Sequence, residues 1–78
     1  MINNNIKPMN KYEKEVYANR IMLMLVSNPQ IRVADVASSL YLNKDKARRL
    51  LDWMVNQGYI KKKVIRYVGN ANLNVYTR

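Results

Sequence analysis

The side chains able to do chemistry in this sequence are mostly cations. Five acids (Glu13, Glu15, Asp35, Asp45 and Asp52) stand against fourteen Lys and Arg. The acids show no paired-carboxylate or metal-ligand spacing, and Glu13 and Glu15 fall on different faces of a helix. There is no His and no Cys, so the usual general base and the thiolate nucleophile or ligand are missing. Gly58 and Gly69 are the only glycines, too few for a phosphate-cradling loop. The sequence therefore gives no reason to expect an enzyme, a cofactor or a metal centre. What remains is recognition by charge. A formal net charge of +9 favours an anionic partner, meaning nucleic acid, an acidic protein or a membrane surface.

Two groups of cations have a spacing that suits nucleic acid. The first lies between Asn43 and Gln57. On a helix each residue advances about 100°, which gathers Ala47, Leu50, Leu51 and Met54 on one side. Arg49, Asp45, Asp52 and Asn56 lie roughly opposite, with Lys44 and Arg48 on one edge and Lys46 and Trp53 on the other. An apolar back with an Arg, Asn and Lys front is what reading a major groove requires: Arg can pair doubly with guanine while Lys holds phosphates at the rim. The plainer account is a solvated face of mixed charge. The second group is Lys61, Lys62, Lys63 and Arg66, in a segment from Tyr59 to Arg78 that holds no acid. Side chains alternate along a strand, so Lys61 and Lys63 point one way and Lys62 and Arg66 the other. Such a ribbon can lie over a phosphate backbone, although lysines also protect a strand edge from pairing with another chain.

The elements that must position these groups follow from periodicity. Residues 1–10, Asn-rich and carrying Pro8, read as a flexible arm, and residues 11–78 as one domain. From Lys11 the pattern is helical until Ser27-Asn28-Pro29 stops it. A second apolar series, Val33, Val36, Ala37 and Leu40, makes one face of a short helix. Asn43 is the expected N-cap of the third helix and Gly58 its left-handed terminator. Beyond Gly58, Tyr59 to Val68 is rich in β-branched and aromatic residues, Gly69 to Asn72 is turn chemistry, and Leu73 to Thr77 alternates; together these predict a β-hairpin. Chain order thus predicts an α+β, mostly helical fold of three helices and a C-terminal hairpin.

Within the first helix, Ile21 to Val26 is apolar on every side, and a domain of 78 residues can cover only part of it. Either the arm folds back through Ile6 and Met9 or a second subunit covers the rest. The subunit is the expectation, with Tyr17, Ile21 and Met24 as contact residues. Trp53 is expected to be partly buried against the first helix. No apolar run approaches the roughly 18 residues needed to span a bilayer. Met1 to Asn5 has neither the basic nor the apolar region of a signal peptide, so a cytoplasmic location is expected.

The segment Val33-Ala34-Asp35-Val36-Ala37-Ser38-Ser39-Leu40-Tyr41-Leu42-Asn43, followed by Gly58-Tyr59-Ile60, resembles the core of bacterial winged helix-turn-helix regulators such as the MarR and ArsR groups. The likeness runs from about Ile31 to Thr77. Two positions depart from that pattern: Tyr41 stands where the family often has Gly, and Arg32 where it has a Ser or Thr cap. The resemblance implies a sequence-specific transcriptional regulator that binds double-stranded DNA as a homodimer. Helix 43–57 would enter the major groove, and the wing 60–78 would lie on the flanking backbone. Asn43, Lys44, Asp45, Lys46, Arg48, Arg49, Lys61, Lys62, Lys63 and Arg66 are then the DNA-contacting residues. The small size suits a phage, plasmid or viral regulator. The rival is a winged-helix module that binds an acidic protein, such as an inhibitor or adaptor of transcription or replication machinery, with Trp53 as an anchor.

Overall fold

A computed structural model describes residues 9–66 and 72–78. In chain order the elements are α1 (Lys11–Ser27), β1 (Gln30–Ile31), α2 (Val33–Leu40), α3 (Lys44–Asn56), β2 (Lys61–Arg66) and β3 (Asn72–Thr77). The three helices are those the apolar periodicities predict. The strands form one antiparallel sheet in the order β1-β3-β2, so the C-terminal strand is central and the lysine-rich strand is an edge.

Two of the three helices start where a side chain satisfies one of their first amides. Asn10 opens α1 with a reciprocal capping box: its side chain accepts from the Glu13 N–H at 2.8 Å, and its own N–H donates to the Glu13 carboxylate at 3.2 Å. At α2 the capping residue is Arg32, whose side chain cannot accept. Only the return half of the box exists, the Arg32 N–H donating to the Asp35 carboxylate at 2.9 Å. Asn43 caps α3 by accepting from the Lys46 N–H at 2.7 Å.

The helix ends differ in cost. Gly58 leaves α3 at φ 81°, with the Tyr59 N–H donating to the Met54 carbonyl at 2.9 Å; glycine takes this conformation without penalty. That bond also delays the sheet. Tyr59 and Ile60, expected in the strand, belong to the helix exit, and β2 begins at Lys61. Tyr41 leaves α2 at φ 56°, ψ 43°, a left-handed conformation that costs a residue with a Cβ roughly 1–2 kcal/mol. The Leu42 N–H donates to the Ala37 carbonyl at 3.0 Å across this turn. The chain turns from α2 into α3 here without the glycine, and the Tyr41 side chain gains no packing in return, being 95 % exposed.

The core is a single cluster. Ala18, Ile21 and Leu25 from α1 meet Val36 and Leu40 from α2, and Ala47, Leu50, Leu51 and Met54 from α3, with Ile31, Ile60 and Tyr76 completing it. The α1 segment predicted to be apolar all round is thus split. Ile21 and Leu25 are buried, Met22 and Met24 are half-buried, and Leu23 and Val26 are exposed. Ile21, expected at a subunit contact, is wholly enclosed by its own chain and cannot supply contact surface; Tyr17 and Met24 pack against the cluster with part of each side chain still in solvent. Met9 also packs on the cluster, while Ile6 lies outside the described residues.

Strand β1 has no counterpart in the sequence reading. Gln30 and Ile31 pair with Thr77 and Tyr76, and two residues are too few to show a period. Strand β3 pairs with β2 from Lys61↔Thr77 to Arg66↔Asn72. Asn72, read as turn, is therefore the first residue of β3, and the predicted turn at 69–71 lies outside the described residues. On β2 every side chain is exposed except the half-buried Ile65, so neither face of this strand is buried in the core.

Replacing Tyr41 with Gly should relieve the left-handed strain at little packing cost. Urea unfolding of Tyr41→Gly should show a gain of about 0.5–1 kcal/mol, the strain relieved less the added backbone entropy of glycine. A loss of stability would mean that the exposed ring makes contacts worth more than the strain.

Candidate nucleic-acid interface

The front of α3 is built on one carboxylate. Asp45 accepts from Arg48 at 2.7 Å, and its other oxygen lies 3.4 Å from Arg49. Both guanidinium groups are thereby held on one side of the first two turns, a little less and a little more than one turn after Asp45, as i,i+3 and i,i+4 pairs must be. They remain in water: the Arg49 side chain is 76 % exposed and that of Arg48 58 %. Such exposed pairs contribute at most about 1 kcal/mol, so Asp45 orients the two arginines without locking them. Asn43, a predicted contact residue, has its side-chain oxygen committed to the cap, and only its amide NH2 is left to donate outward.

Lys44 and Lys46 sit at the opening of the same helix, Lys44 exposed and Lys46 half-buried. A groove of about 260 Å³ runs beside Lys44, lined by Arg32, Val33, Ala34, Leu73 and Asn74. It brings the starts of α2 and α3 against strand β3. In the sequence Arg32 stands out only where a Ser or Thr cap is the family pattern; its place beside Leu73 and Asn74 follows from the pairing of β1 with β3, which joins distant parts of the chain.

Strand β2 carries the second cation group. Lys61, Lys62, Lys63 and Arg66 are all exposed, opposite Thr77, Tyr76, Val75 and Asn72 respectively. Lys62 and Arg66 share one side and Lys61 and Lys63 the other, as strand alternation requires. Among the described residues none of these four, nor Lys44 or Lys46, has a carboxylate within ion-pair distance. Four of the five acids are occupied elsewhere: Glu13 in its capping box, Asp35 at Arg32, Asp45 at the two arginines and Asp52 at Tyr76.

The two cation groups are tied together through Tyr76. Its ring is fully buried, and its hydroxyl donates to the Asp52 carboxylate of α3 at 3.3 Å. Burial, reinforced by the Asp52 charge and this hydrogen bond, pushes the phenol from its ordinary 10.0 up to about 12; nearby Arg48 opposes the shift. Asp52 lay on the presumed reading face by helical-wheel position. In the structure it is half-buried and faces the sheet.

Trp53 is half-buried. The Lys14 ammonium of α1 sits over its ring at 5.4 Å from the centroid, and Tyr59 meets it edge-on at 5.7 Å and 80°. No helix among the described residues is long and apolar enough to cross a membrane, and no metal-binding cluster of acids occurs among them. No family model matches the chain, and neither the curated proteins nor the solved structures compared with it gave a significant match.

The tie predicts a pH signature. Tyr76 releases its proton near pH 10 when unfolded and near 12 when folded. Its contribution is therefore complete below pH 10 and lost as pH rises through 12, because the unfolded chain binds fewer protons across that window. Tyr76→Phe should lose about 1 kcal/mol at neutral pH, the worth of one such hydrogen bond. Its stability should then fall less steeply than the native chain's between pH 10 and 12, both followed by urea unfolding. Parallel pH profiles would show that the hydroxyl is not held as described.

Proposed function

We propose that the protein is a sequence-specific DNA-binding regulator of the winged helix-turn-helix type. In this reading α2 and α3 form the helix-turn-helix, α3 enters the major groove, and the β2–β3 ribbon is the wing on the flanking backbone. The carrying observation is electrostatic. The lysines at the start of α3 and along β2 have no acid within reach among the described residues, while all the acids except Glu15 are engaged elsewhere, three within their own helical turn and Asp52 at Tyr76. A surface that leaves its cations free beside a helix with a fully buried back is suited to a phosphate backbone with an exposed groove between its strands. Three helices and an antiparallel sheet are compatible with that architecture.

The roles divide by position. Lys44 and the β2 cations Lys61, Lys62, Lys63 and Arg66 hold phosphates; Arg49, the most exposed residue of the Asp45 cluster, reads a base edge, with Arg48 beside it. Asp45 keeps the two arginines together in the free protein and exchanges them for DNA. The rival partner, an acidic protein anchored on Trp53, has less in its favour, because Lys14 and Tyr59 already cover that ring.

Gel-shift titrations at several salt concentrations test this reading. Each phosphate contact contributes about 0.9 to the slope of log affinity against log salt. Replacing Lys61, Lys62 and Lys63 together by Ala should weaken binding to all duplexes and flatten that slope. An unchanged slope would leave the lysines as edge protection alone, and the absence of any duplex binding by the native chain would sink the proposal.

On a selected sequence, Arg49→Ala should cost about 1–3 kcal/mol and relax preference at one base pair, with binding to random duplex nearly unchanged. Equal losses on selected and random DNA would reassign Arg49 to a phosphate.

A further inference from the structure

The outer face of α1 has a pattern that its own domain does not use. Tyr12, Val16, Leu23 and Val26 are all exposed large apolar side chains, and Asn19, exposed as well, falls between Val16 and Leu23. Their spacing alternates four and three residues along the helix, which places all five on one stripe opposite the buried Ala18, Ile21 and Leu25. An alternating four-three repeat is the seam of a coiled coil, and a β-branched residue at the first seam position of the repeat, here Val16, favours two strands. The stripe runs about 21 Å at 1.5 Å per residue.

We infer that this face pairs with the same face of a second copy, the two α1 helices side by side and parallel about a two-fold axis. Three observations choose that occupant and that direction. In the parallel arrangement each seam residue meets its own equivalent, so Asn19 meets Asn19 of the second copy and the two amides satisfy one another. The residues flanking the seam carry complementary charge. Glu15 and Arg20 hold the flanking positions that meet across a parallel coiled coil, one preceding a seam residue and the other following the next. Both are exposed, and among the described residues neither has an ion-pair partner in its own chain. The two-fold axis makes the Glu15–Arg20 pair twice. Finally, Glu15 and Asn19 border an open cleft of about 380 Å³ between α1 and Tyr59, lined also by Ala18 and Met22. It lies on the side from which the second copy's Arg20 approaches.

The seam is short for an isolated coiled coil, but α1 is already folded and capped by its own domain, so pairing carries no cost of helix formation. The contact residues are then Tyr12, Val16, Asn19, Leu23 and Val26, in place of the expected Tyr17, Ile21 and Met24. The front of α3 and strand β2 stay free, and the inference holds whether or not the protein binds DNA.

Light scattering and sedimentation equilibrium on the full chain at 10–100 µM test it. The expected mass is about twice the 9.2 kDa of one chain. Leu23→Lys, at a position 70 % exposed, should give a folded monomer with an unchanged circular dichroism spectrum. Arg20→Glu alone should weaken association at least tenfold by setting Glu against Glu15, and the exchange Glu15→Arg with Arg20→Glu should restore it. A native chain that stays monomeric at 100 µM overturns the inference, as does a dimer that survives Leu23→Lys. A dimer that Leu23→Lys breaks but the charge exchange does not restore overturns the parallel pairing.

Discussion

Tyr76 is the point at which the layers of this small domain meet. Its backbone stands in register with Ile31 of β1 on one side and Lys62 of β2 on the other, its ring is buried among the helices' apolar faces, and its hydroxyl reaches Asp52 of α3. A buried hydroxyl without a partner would cost roughly 1–3 kcal/mol, so the Asp52 contact is what allows a tyrosine rather than a phenylalanine to occupy the centre. It is also a direct polar contact between α3 and the sheet. The front of α3 and strand β2 are thus joined through β3, by the Tyr76 ring in the core and its hydroxyl at Asp52.

Charge is distributed around that frame so that attraction within the chain is spent close to where it starts. Three of the acids act over a single helical turn: Glu13 and Asp35 complete caps, and Asp45 gathers Arg48 and Arg49. Asp52 alone reaches across the fold. Local pairs are cheap in side-chain order and weak in energy, and they leave the lysines of β2 uncompensated. An edge strand of exposed lysines resists pairing with another strand, and the same side chains form the densest positive segment that a phosphate backbone could meet. Edge protection and phosphate contact are compatible uses of one feature.

The turn between α2 and α3 shows a second compromise. Gly58 leaves α3 through the left-handed region at no steric cost, while Tyr41 leaves α2 through the same region and pays for it with an almost fully exposed ring. A residue held in that conformation persists because the packing of Leu40 below and the cap of Asn43 above over-determine the turn. The shape of the helix pair is thus kept by tertiary packing at the one position where local preference argues against it.

By itself the sequence determined what depends on near neighbours. The three apolar periods, the Asn43 cap, the Gly58 exit and the concentration of cations after Gly58 are all short-range, and each is found where it was read. Only the tertiary structure decided what depends on distant partners. Strand β1 exists because Tyr76 and Thr77 come back to pair with it, so two residues without a period become a strand. The split of Ile21 to Val26 into buried and exposed sides was hidden because every residue there is apolar, and only the placement of α2 and α3 tells them apart. Asp52 looked like a member of the exposed front until β3 arrived beside it. Helical spacing fixes which side chains share a face; which face is covered is set by the elements that pack on it, and those are contributed by the other end of the chain.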